Sequence, residues 1–212
     1  MCRTKKSNTM LYDESASDTK TLIKIAAKKI FVKRGFAGTR LKEIADEAKI
    51  GRTALHYYFH SKENLFAEVL KDFFSAIGSR VTNYGDLDRP VVEIMKQFVG
   101  GYIESAVQTP EIDLFMLNEF NENPELMLMA KNSDDKDLPN YLMSAIEKAC
   151  ANGELKGSPE QIFISIMSMC MFPFAGMAAV KTFMKLSDEA YIELMMQRRE
   201  YLLKFVETAF LP

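Results

Sequence analysis

Histidine and cysteine are scarce in this chain, and each scarcity removes a class of chemistry. Only two histidines occur in 212 residues, His56 and His60, and both lie in one short stretch. A zinc site built on imidazole lacks ligands, and a Ser-His-Asp hydrolase has no histidine elsewhere to serve as its base. The three cysteines, Cys2, Cys150 and Cys170, show neither paired nor metal-like spacing. That count suits a reducing cytoplasm rather than a disulfide framework. Cys170 lies in an apolar run and reads as a small buried residue. No segment shows strand alternation, a strand-flanked hairpin or a Gly-rich phosphate loop, and no repeat is visible. The N-terminus is polar and charged, without the apolar core of a signal peptide. Carboxylate pairs such as Asp134-Asp135 stand among polar residues and read as solvated. The chain is therefore expected to be all-α, not an enzyme, and without a cofactor or metal.

Net charge is only −2, which conceals an asymmetry. Residues 1–62 carry 14 Lys and Arg against 6 Asp and Glu, a balance of +8. Residues 63–212 carry 13 against 23, a balance of −10. A basic first third suits a polyanion partner, and the acidic remainder does not.

The basic part contains the most informative stretch, Thr39 to Lys62. Leu41, Ile44, Ala45 and Ala48 recur at helical spacing, with Lys42, Glu43, Asp46 and Glu47 opposite. Thr39 or Arg40 stands at the cap position. A corner at Lys49-Ile50-Gly51 leads into a second short helix, Arg52 to Phe59. Leu55 and Phe59 point inward together, leaving Arg52, Thr53, His56 and Tyr57 outside. A helix that exposes a guanidinium, a hydroxyl, an imidazole and a phenol suits a DNA major groove, its first residues at base edges.

This stretch resembles the helix-turn-helix of the tetracycline-repressor (TetR) family of bacterial regulators. The resemblance rests on Gly35-Phe36, Thr39, Glu43-Ile44-Ala45, Ile50, and the run from Leu55 to Leu65. It is strong from Thr19 to Leu70. The sequence departs from the usual pattern at Arg40, where a small hydroxyl residue is common. It departs also at Gly51, where Ser or Thr caps the recognition helix, and at His56, where Tyr is usual. The resemblance implies that Thr39, Arg40, Tyr57, Tyr58 and Lys62 meet phosphates, while Arg52, Thr53 and His56 face base edges. It also implies a larger helical domain with a ligand cavity, a dimer bundle made by the last two long helices, and repression relieved by ligand. A rival reading is a ligand- or partner-binding helical module of the same fold that does not read DNA.

Along the chain, residues 1–18 read as a flexible arm, 19–66 as the DNA-binding domain and 67–212 as a ligand-binding and dimerisation domain. About nine helices are expected. The first runs from about Thr19 to Arg34 over a stripe of Leu22, Ile25, Ala26, Ile30 and Val32, and ends at Gly35. The fourth opens at Ser61. Asn83 to Asp88 reads as a turn, and Lys131 to Asp137 interrupts the seventh helix, which Gly153 closes. Ser158 opens the eighth and Ser187 the ninth, which runs to about Ala209.

Residues Ile162 to Val180 form an uncharged run long enough to suggest a membrane span. Ser165, Ser168, Pro173 and Gly176 interrupt it, and the small Ala175 and Ala179 allow close helix approach. It reads better as core and as a homodimer interface through the eighth and ninth helices, with no membrane partner. The methionine- and phenylalanine-rich surroundings suit either core filling or a plastic pocket for a small apolar or amphipathic effector. The pocket candidates are Phe115, Met116, Glu119, Phe120, Met167, Met171 and Phe174. Asn118 and Asn121 read as polar accompaniments.

Overall fold

A computed structural model describes residues 7–78, 88–130 and 138–212. Among them are eleven helices and no strand: α1 (Ser7–Gly38), α2 (Leu41–Glu47), α3 (Arg52–Phe59), α4 (Lys62–Gly78), α5 (Val91–Gln108), α6 (Glu111–Glu122), α7 (Pro124–Ala130), α8 (Leu138–Ala151), α9 (Pro159–Ala175), α10 (Met177–Met184) and α11 (Asp188–Thr208). The expected seventh helix is two, α7 and α8, and the expected eighth is two, α9 and α10. All but Asp88 of the expected turn from Asn83 to Asp88, the interruption at 131–137 and Cys2 lie outside the described residues.

The chain divides into two compact units. One comprises residues 1–72 with 122–130, and the other residues 73–121 with 131–212.

In the smaller unit, α1 begins at Ser7, well before the expected Thr19. No proline or glycine precedes Gly35, so nothing in the sequence breaks the helix there. At Gly35 the backbone turns to φ 69°, ψ 173°, outside helical space and in a region that glycine enters without a Cβ penalty. The buried face of α1 differs from the expected stripe. Ile23, Ala26, Ala27 and Phe31 are buried, whereas Leu22 and Ile25 are more than half exposed. Phe31 fixes this choice. Its ring meets Phe66 of α4 edge-on at 4.8 Å, and Phe36 lies 4.9 Å from the same Phe66 ring. Three aromatic rings with Ile44, Leu55 and Phe59 make a small core.

In the larger unit, α5 and α11 pack extensively, with α8 and α9 against α5. Met95, Phe98, Ile103, Leu142, Ile146, Ile166, Phe174, Met195 and Leu202 lie in one apolar cluster. Ser187 caps α11 by accepting the Ala190 N–H at 3.2 Å. Ser158 holds the N-cap position of α9 without that bond; its hydroxyl donates to Glu160 instead.

The uncharged run is bent. The axes of α9 and α10 differ by 72°, and no single described helix is long and apolar enough to cross a membrane. Pro173 has no N–H, so the carbonyl one turn earlier, at Met169, loses its helical donor. Arg198 of α11 replaces it, donating from Nε at 3.1 Å and from Nη2 at 2.9 Å. The chain breaks three residues later, at Gly176. A Cβ there would stand 3.0 Å from the Phe172 carbonyl oxygen and close to its ring, so any other residue requires a neighbour to shift by a few tenths of an ångström. The Pro173 carbonyl, released by the break, accepts from the buried Tyr191 hydroxyl at 3.0 Å. Two α11 side chains thus satisfy the backbone at the bend. Tyr191→Phe strands a buried carbonyl and is expected to cost about 1 kcal/mol in a denaturant titration.

Candidate nucleic-acid interface

Helix α2 is fixed to α1 before α3 is placed. Arg34 pairs with Glu43 at 2.5 Å and Lys29 with Glu47 at 2.5 Å. The other Glu43 oxygen accepts the Arg40 N–H at 3.2 Å, so one carboxylate closes the first turn of α2 and ties it to α1. The corner then follows a Schellman pattern. The Ile50 N–H reaches the Ala45 carbonyl at 3.0 Å and the Lys49 N–H reaches Asp46 at 3.2 Å. Lys49, not glycine, takes the left-handed position, with φ 56°.

Helix α3 buries Leu55 and Phe59. Arg52, Thr53, His56 and Tyr57 are exposed and Tyr58 is half-buried. Tyr57 is 74 % exposed, a large aromatic surface left in water on a helix whose other face is packed. Tyr58 meets it edge-on at 5.2 Å. Gly51 takes the N-cap of α3 in extended backbone, and a Cβ there would meet nothing within 4 Å. Its glycine therefore costs only the missing cap bond, a few tenths of a kcal/mol relative to Ser or Thr. His56 Nδ1 lies 3.3 Å from the His60 carbonyl oxygen. In the tautomer that donates there, Nε2 is left as an acceptor.

The remaining expected DNA-contact residues divide. Arg40 is exposed at the N-cap of α2. Thr39 is only 2 % exposed, and its hydroxyl donates to the Gly35 carbonyl at 2.7 Å. Lys62 donates to the carbonyls of Phe36 at 2.9 Å and Thr39 at 3.2 Å. These two hydroxyl and ammonium groups are engaged with backbone. Sequence spacing gave no sign of that, because the acceptors exist only once Gly35 turns the chain.

The expected effector residues lie on α6 and α9. Phe115, Glu119 and Phe174 are buried, Met116, Met167 and Met171 are half-buried, and Phe120 is exposed. Asn118 and Asn121 are exposed. An open pocket of about 500 Å³ lies elsewhere in the larger unit, on α9, α10 and α11, between Pro173, Met184, Leu194, Arg198 and Tyr201. None of the seven residues lines it. A polar pair missed by sequence reading sits on α5 and α6, where the Tyr102 hydroxyl donates to Asp113. Burial pushes the Asp113 carboxyl up to about 6, against which the Tyr102 bond acts, and burial also raises the Tyr102 phenol. Burial pushes the Cys170 thiol up to about 12, which leaves it inert. Among the described residues no cluster of His, Cys, Asp and Glu could hold a metal ion.

Residues 25–69 match the family described as bacterial regulatory proteins, tetR family. The chain is 28 % identical over 167 residues to the HTH-type transcriptional repressor NicS of Pseudomonas putida, an alignment covering 75 % of this chain and 77 % of NicS. It is 26 % identical over 180 residues to the HTH-type transcriptional regulator RutR of Escherichia coli K12, covering 84 % of each. Its fold is similar to that of HlyIIR, a hemolysin II transcriptional regulator, with a TM-score of 0.66 at 23 % identity, over 88 % of this chain and 97 % of that one. The family match over the helix-turn-helix, together with relatives that are transcriptional regulators along most of their length, supports a TetR-family transcriptional regulator.

Proposed function

We propose that this regulator is a ligand-responsive repressor that binds a palindromic operator as a homodimer in the cytoplasm. The DNA-binding role belongs to the unit that holds α1 to α3, and effector binding and dimerisation to the larger helical unit. The observation that carries the reading is the outer face of α3, which leaves Arg52, Thr53, His56 and Tyr57 exposed over a buried Leu55 and Phe59. Arg52 suits guanine, whose O6 and N7 accept a bidentate guanidinium, and the His56 acceptor suits a base amino group. Thr53 completes the base-edge set. Arg40, Tyr57 and Tyr58 are assigned to the phosphates, which hold register without carrying sequence information. The repressor name of NicS supports repression over activation.

The homodimer is supported by an apolar surface on α9, α10 and α11. Phe172, Phe183, Met184, Ile192, Met196 and Tyr201 are all exposed there, Phe183 by 85 %. A second copy that covers this surface makes the dimer, and its symmetry makes the operator a palindrome, with half-sites about one helical turn or more apart. Light scattering at micromolar concentration is expected to give a dimer, and Phe183→Glu a monomer. A stable wild-type monomer contradicts the assignment. The effector is assigned to the larger unit and to the Phe- and Met-rich α6 and α9, including Phe115, Met116, Glu119, Phe120, Met167, Met171 and Phe174. It is apolar or amphipathic, because Glu119 is the one ionisable group in that set. It releases DNA by binding the DNA-incompetent arrangement more tightly, and a preference of about 1–3 kcal/mol is enough for a 5- to 150-fold loss of DNA affinity.

Footprinting on the promoter of the chain's own gene tests the reading. Two symmetric protected half-sites are expected, lost on addition of a hydrophobic compound that raises the protein's melting temperature. Unsymmetric protection, or none, argues against it.

A further inference from the structure

Lys62 opens α4, and its ammonium turns back into the unit rather than away from it. Nζ reaches the carbonyls of Phe36 and Thr39 and stands 4.2 Å from the centre of the Phe36 ring. An ammonium has three donors, and two are spent on backbone. The charge that remains faces an aromatic face, which attracts it. The same segment is tied a second time by Thr39, whose hydroxyl donates to the Gly35 carbonyl while its own N–H reaches Phe36 at 3.3 Å. The segment needs these ties because Gly35 leaves helical space. Its carbonyls no longer receive regular helical N–H donors. Arg40 follows at once, extended, as the N-cap of α2. Whatever fixes residues 35–40 therefore fixes where α2 starts, and α3 packs on α2.

We propose that Lys62 is a positioning residue that clamps the Phe36 and Thr39 carbonyls and so sets α2, Arg40 and α3 for DNA, and that it does not act as a phosphate contact. The proposal rests on the DNA-binding reading above. The two roles differ in salt dependence. A lysine that neutralises a phosphate releases a counterion, and removing it flattens the slope of log affinity against log salt by about 0.9. A lysine that holds backbone lowers affinity and leaves the slope unchanged.

Two variants separate these roles. Lys62→Met keeps the aliphatic stem and removes the charge. Thr39→Val keeps the shape, leaves every charge in place and removes the other tie. Affinity for the chain's own promoter fragment is measured at several salt concentrations, and amide hydrogen exchange is measured in the DNA-free protein. Both variants are expected to weaken binding roughly tenfold with the wild-type salt slope, and to speed exchange at Thr39 and Glu43 by a similar factor, as local opening becomes easier. A flatter slope in Lys62→Met, with exchange unchanged, overturns the proposal and makes Lys62 a phosphate contact. If the wild-type protein shows no preference for promoter DNA, the functional reading fails. The exchange measurement then decides the clamp alone: faster exchange in Lys62→Met supports it and unchanged exchange refutes it.

Discussion

Arg52→Ala is expected to lose about 1–3 kcal/mol on operator DNA and almost nothing on random DNA. Arg52 is the first residue of α3 and is exposed. In a helix-turn-helix the first residues of the recognition helix meet the base edges. A guanidinium there pairs with guanine through two parallel hydrogen bonds, and alanine leaves both acceptors to water. Random DNA holds the protein through phosphates, which Arg52 does not serve in this account. The loss is read as a ratio, from parallel titrations of operator and scrambled duplexes at one salt concentration. Equal weakening on both duplexes removes Arg52 from the base-reading set.

Phe31→Ala is expected to destabilise the DNA-binding unit by about 3–5 kcal/mol. Phe31 is fully buried and touches both Phe36 and Phe66. The ring leaves a cavity beside Phe36 and Phe66, and relaxation of a packed core closes such a cavity only in part. Leu22→Ala, on the same helix but more than half exposed, is expected to cost far less. Hydrogen exchange across residues 23–70 measures both. Similar losses from the two substitutions refute the assignment of the buried face.

These two residues also mark how far the sequence could be read. Arg52 was legible because its environment is local. Leu55 and Phe59 are four apart and define the inner face, which leaves Arg52, Thr53, His56 and Tyr57 outside, with Ala54 and Tyr58 half-buried between. The corner was legible for the same reason, although Lys49 rather than glycine takes the left-handed position. The caps at Ser61 and Ser187 are local too, and both side chains accept a backbone N–H three residues on. The face of α1 was not legible. Leu22 and Ile25 are as apolar as Ile23 and Ala27, and the side on which Phe31 lies is set by its contact with Phe66, which is distant in sequence.

The bend in the uncharged run was half legible. Pro173 announces a lost hydrogen bond. It does not announce that Arg198 and Tyr191, on a later helix, supply the replacement donors, or that the break falls at Gly176. Lys62 and Thr39 show the same limit within the binding unit. Both match the motif, and the backbone acceptors that engage them appear only when Gly35 leaves helical space.

The account turns on whether α3 reads sequence. The direct measurement is competition between the promoter fragment of the chain's own gene and a scrambled duplex of equal length, from low to physiological salt. The account predicts that both affinities fall as salt rises, since Arg40 neutralises phosphate charge and releases counterions. It also predicts that the promoter stays preferred by roughly a thousandfold or more, the range of specific over non-specific binding. Equal affinity for the two duplexes across the salt series would contradict it.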